Sequence, residues 1–400
     1  MKIVADGATI EATSDRRNRR SARTAWPRIA AVAALALLTV GVASPASAAP
    51  TVITTIPVGG SPWGVAISPD GTKAYVANRS GDSVNVIDVA TNAVVGLPIL
   101  VGEFPLGVAF SPNGTKAYVA NGIGDTVSII DVTTEIVTTI PAFGDYPFGV
   151  AFTPDGSKAY VTLQSDDAVR VINGVSDAPG GTISVGSAPR GVAFTPDGSK
   201  AYVVNNNANT VSVIDVASDT VITTITVGIG NSPQAVAFTP DGATAYVTNS
   251  GGNTVSVIDV ASNSVIILPI AVGTSPLGVA VSPDGTTVYV TNNVAGTVTV
   301  IDVATATVIG SPIMVGVGPV GVAFTPDGTR AYVANGGGGQ GGTVSVISTG
   351  LAAFPPAAPA AVGLAPTGAD GASTLVFAAA LTLVGVAVAA GARLRIIRQR

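Results

Sequence analysis

The chain of 400 residues contains neither histidine nor cysteine. That removes Ser-His-Asp and Cys-His catalysis, zinc and haem ligation by these side chains, and disulfides. The groups left for chemistry are arginines, carboxylates and aromatic rings at regular intervals. One recurring position holds Trp63, Leu106, Phe148, Arg190, Gln234, Leu277 and Val320, each before a Gly-Val pair or, once, Ala-Val. Arg190 is the sole cation of this set, Trp63 and Phe148 are its aromatic members, and Asp166 and Asp167 of the neighbouring copy are expected to flank Arg190. Gathered around one axis, these side chains would either line a mixed apolar pocket for a ligand or plug a crowded centre. They offer no acid–base pair of the kind general catalysis needs.

Two further sets of carboxylates recur. Asp70, Asp155, Asp197, Asp241, Asp284 and Asp327 occupy Pro-Asp-Gly turns, with Asn113 in the equivalent place, and Asp88, Asp131, Asp215, Asp259 and Asp302 follow another apolar run. Calcium needs about six to eight converging oxygens, whereas each of these stands alone in its own turn. Turn formation is therefore their expected role, and neither a metal nor a cofactor is expected.

These residues sit in a unit that occurs seven times between Pro62 and Ser348, with turn-to-turn intervals of 42 to 44 residues. Each copy reads as four short strands. In the second, Gly107 to Phe110 precedes a Pro-Asn-Gly turn, Lys116 to Ala120 and the alternating Thr126 to Val132 follow, and Glu135 to Ile140 completes the set. Four strands in such a period describe a propeller blade. The seventh copy stops after its third strand, and the missing strand stands at the other end, in Thr51 to Gly59. Pairing the two would close a seven-bladed, all-β ring and leave no orphan edge. Seven of the eight tyrosines share one strand register and are expected to pack between blades. The loops between second and third strands, from Arg79 to Ser83 through Gly336 to Gly342, vary most and should open on the same face as the axial ring.

Tyr246-Val247-Thr248-Asn249 and Tyr289-Val290-Thr291-Asn292 spell a signature that four other copies vary by one letter and the third copy, Tyr160-Val161-Thr162-Leu163, varies at its last position. From about Thr51 to Ser348 the chain thus resembles the YVTN-family β-propeller repeats. That resemblance implies the fold and a surface or periplasmic setting, and related propellers include lactonase-like enzymes.

The body from Ala49 to Thr367 carries eight Lys and Arg against twenty Asp and Glu, a net charge of about −12. Such a surface repels phosphate backbones, so nucleic acid is not an expected partner. Residues 1–48 read as a secretory signal: arginines from Arg16 to Arg28, an apolar run from Ile29 to Val42, and a cleavage site at Ala46-Ser47-Ala48. Residues 349–363 form a Pro/Ala-rich tether. Beyond it, Leu364-Ala365-Pro366-Thr367-Gly368 precedes an uncharged stretch, 373–392, long enough to span a bilayer, and then four arginines. This order resembles a sortase sorting signal in the L-A-x-T-G variant, which implies a sortase and cell-wall peptidoglycan as partners on the surface of a Gram-positive bacterium. Retention in the membrane by the C-terminal helix is the alternative. Together these features lead to the expectation of a wall-anchored propeller without enzymatic activity, binding a surface protein or polysaccharide or serving envelope structure. A lactonase-like or lyase-like enzyme lacking catalytic His, or a purely architectural protein, are the alternatives.

Overall fold

The computed structural model describes residues 48–141, 143–227, 231–338, 341–351 and 353. The signal segment with Ala46, the pentapeptide Leu364 to Gly368, the span 373–392 and most of the tether lie outside the described residues. Those described form seven antiparallel sheets. Blade 1, for example, consists of Pro62–Ile67, Lys73–Asn78, Ser83–Asp88 and Ala93–Leu100, from axis to rim. In blade 5 the outer strand is split into Ser264–Val265 and Ile270–Ala271, both paired with Thr254–Asp259.

Closure follows the sequence expectation. Thr51–Pro57 pairs antiparallel with Thr343–Ser348 and supplies the outer strand of blade 7. Ile56 is buried there, in the seam between blades 7 and 1.

Among the described residues the apolar core consists of seven such seams rather than one central mass. The seam between blades 1 and 2 joins Tyr75, Val84, Val86 and Ile99 to Ala117, Val119 and Ile130. The seven register tyrosines are almost completely buried, as expected. Five of them rest against a phenylalanine of the next blade, with ring centroids 4.6–4.9 Å apart. Four of the seven hydroxyls bond to the next blade's far turn: Tyr118 to Asp177, Tyr160 to Asp219, Tyr202 to Asn263 and Tyr332 to Asn92.

The recurring aspartates are turn formers. Asp197 accepts the Thr195 hydroxyl at 2.6 Å and the Ser199 amide at 3.0 Å. Asp215 accepts the Ser218 amide and hydroxyl at 2.8 and 2.7 Å. Those bonds favour the ionised form, and both carboxyls lie below the usual carboxylate range, held by the Thr195 and Ser218 hydroxyls first.

Candidate functional site

The axial ring is built by the same irregularity in every blade. Each innermost strand pairs at its proline, Pro62 with Asn78, and resumes at Val65 with Val76, so one extra residue is inserted. The bulge recurs in all seven blades. It frees the residue after the proline from the ladder and re-aims it toward the axis. The glycine that follows lets the innermost strands close up. A Cβ on Gly64 would stand 2.4 Å from the Leu106 carbonyl oxygen, one on Gly149 2.4 Å from that of Arg190, and one on Gly321 2.7 Å from that of Trp63. Each contact reaches the next blade, and the last returns to the first.

The two loops of every blade open on the same face, as the sequence led us to expect, and backbone hydrogen bonds stitch them together there. The amides of Arg79, Gln164, Asn206 and Asn293 donate to the carbonyls of Ser61, Tyr146, Ala188 and Ser275, the residues that precede the inner-strand prolines. Phe104, Tyr146, Ala188, Ser232 and Ser275 are held at positive φ, a strained conformation for residues with a Cβ. Each has its amide clasped at 2.8–3.0 Å by a side chain of the preceding blade: Asp82, Asp125, Asp167, Asn209 and Asn253 respectively.

The ring surrounds an apolar cup of about 170 Å³ lined by Trp63, Leu106, Phe148, Gln234, Leu277 and Val320, with the glycine collar beneath. Trp63 and Phe148 meet edge to face across it, centroids 6.1 Å apart. Arg190 lies with its guanidinium 5.2 Å from the centre of the Phe148 ring and donates at 2.6 Å to Gln234 Oε1. The Gln234 amide is itself tied to the Ser232 carbonyl and the Ser250 hydroxyl at 3.1 and 3.2 Å. Burial lowers the Arg190 guanidinium from its ordinary value, against an opposing influence of Tyr146. An arginine so placed still carries its charge at neutral pH.

Two sequence expectations need correction. Asp166 and Asp167 make no ion pair with Arg190 among the described residues. Asp167 is one of the recurrent clasps, and Asp166 accepts the Asp145 amide at 2.9 Å. Both are consumed by loop geometry. Nor is Arg190 the one cation here. The Arg79 guanidinium lies 4.8 Å from the Trp63 ring centre and 5.0 Å from that of Phe104, and Phe104 in turn contacts Tyr146 at 6.2 Å. The mouth is thus divided: blades 1 to 4 contribute an arc of aromatic rings and guanidinium groups, and blades 5 to 7 aliphatic and small polar residues. Arg79, Phe104 and Tyr146 stand at constant repeat positions, just after the YVTN-type asparagine or just before the inner-strand proline. Aligning those columns as well would have found them.

The irregular third blade has a local explanation. Leu163, in place of the asparagine, packs on the buried Phe143, and Arg170 covers Phe143 at 4.9 Å and donates to its carbonyl. An apolar pair capped by a cation thus stands where other blades use an asparagine bonded to hydroxyls, as Asn205 is to Thr210 and Ser212. Among the described residues no three His, Cys, Asp or Glu side chains gather as a metal site.

A closed ring of seven four-stranded blades with a bulged, cup-shaped mouth defines the class: a seven-bladed β-propeller. Residues 172–309, from the end of blade 3 into the outer strand of blade 6, match the family described as "Lactonase, 7-bladed beta-propeller". The chain is also similar to a chain in the structure of Kuenenia stuttgartiensis hydrazine synthase, at 27% identity and a TM-score of 0.67, over 73% of this chain and 96% of that one. Among the curated proteins none matches. Both likenesses are to propellers of enzyme type, and they overturn the expectation of a protein without enzymatic activity.

Proposed function

We propose that the protein is an enzyme of the lactonase-like propeller class and that the channel mouth takes a small cyclic ester. One observation carries this: a half-buried guanidinium, Arg190, is oriented by Gln234 and Phe148 of the apolar cup's lining and has no carboxylate partner among the described residues. A lactone ring would lie against Trp63 and Phe148, with its carbonyl oxygen accepting from Arg190. When water adds to the carbonyl and gives up a proton to solvent, negative charge grows on that oxygen, and a preorganised cation stabilises it more than it stabilises the substrate. Collapse then breaks the ring C–O bond, and the ring oxygen leaves as a hydroxyl after taking a proton from solvent. The clasped Asp166 and Asp167 take no part, so charge stabilisation rather than a general base supplies the catalysis. The test is hydrolysis of a panel of lactones by the full chain, followed by proton release. Arg190→Gln should lower kcat by about 10²–10³, the usual loss for one oxyanion donor. Absence of hydrolysis across the panel, or an Arg190→Gln rate equal to that of the parent, overturns the assignment.

We further propose that the propeller works outside the cytoplasm, exported by residues 1–48 and joined by a sortase to peptidoglycan through Thr367. The support is the order of pentapeptide, apolar span and basic tail in the sequence. Wall digests should release a peptide ending at Thr367. An intact tail in the membrane fraction would favour retention by the C-terminal helix instead.

A further inference from the structure

Four asparagines of the chain are followed by glycine: Asn113, Asn121, Asn173 and Asn335. A glycine nitrogen, unscreened by a Cβ, is free to attack the side-chain carbonyl carbon of the residue before it. The four fall into two pairs. Asn121 and Asn335 are buried at the YVTN-type position, and each amide nitrogen donates to two hydroxyls at 3.0–3.1 Å. Asn113 and Asn173 are exposed, and each stands in a column that other blades fill with aspartate. Asn113 is the one departure from the Pro-Asp-Gly turns. Asn173 ends Ala168–Asn173, where five other blades end their third strand in Asp88, Asp131, Asp215, Asp259 and Asp302.

Both turns have the bonding of a carboxylate slot. Asn113 Oδ1 accepts the Ser111 hydroxyl at 2.7 Å and the Thr115 amide and hydroxyl at 3.1 and 2.9 Å. Asp155 accepts the equivalent three donors, of Thr153 and Ser157, at 2.6, 2.9 and 2.8 Å. Asn173 Oδ1 accepts the Val175 and Ser176 amides and the Ser176 hydroxyl at 2.9–3.1 Å, as Asp131 accepts those of Thr133 and Thr134. None of these bonds uses the asparagine nitrogen. In the aspartate turns they hold the carboxyl below the usual carboxylate range, through the Thr153 hydroxyl first at Asp155 and the Thr134 amide first at Asp131. Donors arranged in this way bind an ionised acceptor more strongly than a neutral one.

We propose that Asn113 and Asn173 are sites of spontaneous deamidation, which converts each to the aspartate that its turn is built to hold. The following glycine nitrogen attacks the asparagine Cγ and gives its proton to solvent, and the side-chain nitrogen leaves as ammonia, closing a succinimide. Water adding at Cγ breaks the new C–N bond and leaves a carboxylate on an unchanged main chain; water adding at the backbone carbonyl carbon leaves isoaspartate. In the closed turns the Gly114 and Gly174 amides donate to the Ser111 and Ser157 carbonyls at 2.8 and 2.9 Å, so attack waits on the turn opening. Exposed turns open locally at little cost, whereas Asn121 and Asn335 are released only when their blade comes apart. At position 173 the new charge enters a turn that Lys116 already grips through the Val175 carbonyl and Asp177.

The test holds the purified full chain in mildly alkaline buffer, with a sample in urea as the unfolded reference, and maps its peptides over time by tandem mass spectrometry. In the folded chain Asn113 and Asn173 should turn to acid at least about tenfold faster than Asn121 and Asn335, and in urea all four at similar rates. Asn113→Asp and Asn173→Asp should each melt at or above the parent, and Asn113→Ala, which removes the acceptor, below it. Retention of all four amides in the folded chain while the urea sample converts overturns the proposal. So do equal rates at the four positions in the folded chain, or a midpoint below that of the parent in either aspartate variant.

Discussion

The tyrosine register contains its own controlled experiment. Tyr75, Tyr202 and Tyr160 occupy the same position in different blades, and all three are buried to within about a hundredth of full exclusion. They differ in what meets the hydroxyl. Tyr160 donates to Asp219, which is also paired with Lys158. Tyr202 donates to the neutral Asn263 Oδ1 at 2.7 Å. The Tyr75 hydroxyl is buried with no partner. Replacement by phenylalanine removes one oxygen and leaves the ring packing in place. A hydrogen bond to a charged group is worth about 1.5–3 kcal/mol and a neutral one about 1 kcal/mol, whereas an unmade buried bond costs about 1–3 kcal/mol. Tyr160→Phe should therefore destabilise by about 2 kcal/mol and Tyr202→Phe by about 1 kcal/mol. Tyr75→Phe should be neutral or stabilising. At about 2–4 °C per kcal/mol for a large domain, the Tyr160 variant should melt several degrees below the parent and the Tyr75 variant at or above it. Urea titrations with unchanged slope would confirm that the native fold is retained. Equal losses at all three positions would refute the reasoning, because packing and not the hydroxyl partner would then set the cost.

Three other outcomes follow from the geometry. Gly149→Val places a Cβ 2.4 Å from the Arg190 carbonyl oxygen and should cost about 1–3 kcal/mol in urea unfolding; Gly181→Val, where a Cβ meets nothing within 4 Å, serves as control. Ile56→Ala opens the seam that joins the two ends of the chain and should cost about 2–5 kcal/mol, against less than about 0.5 kcal/mol for the half-exposed Ile53→Ala. Alkali should unfold the ring through its tyrosines. Burial first, then Glu135 and Asp131, pushes Tyr75 up to about 12, and burial with Asp259 does the same for Tyr202. A tyrosine in the unfolded chain loses its proton near about 10, so the folded state holds protons that the unfolded state releases. Stability should be intact below about pH 10 and fall as pH rises through about 12, with tyrosinate absorbance and loss of strand signal appearing together.

The ring could be read from the chain because each blade repeats the same local instructions. Pro-Asp-Gly turns, alternating strands and a fixed tyrosine are short-range features, and seven copies average out local ambiguity. The closing strand was legible for the same reason: Thr51 to Gly59 is a fragment of the repeat out of place. The site was legible only in part. The column from Trp63 to Val320 was visible and does surround the cup, yet the partners of Arg190 were misassigned. The loop of the neighbouring blade, expected on the same face, suggested Asp166 and Asp167, whereas the backbone amides of Asp145 and Ala188 take those carboxylates.

What the sequence by itself determined is the period, the strands, the turns and the closed seven-bladed ring, since hydrophobic alternation and turn chemistry act within a few residues. Only the tertiary structure decided the character of the mouth. A bulge in every innermost strand turns the ring residues inward, and glycines bring adjacent blades to van der Waals distance there. Side chains far apart in sequence then compete for the same neighbours. Arg79 settles on Trp63 and Phe104, and Arg190 on Phe148 and Gln234, because at a crowded axis an arginine stacks on whichever rings the blades bring beside it.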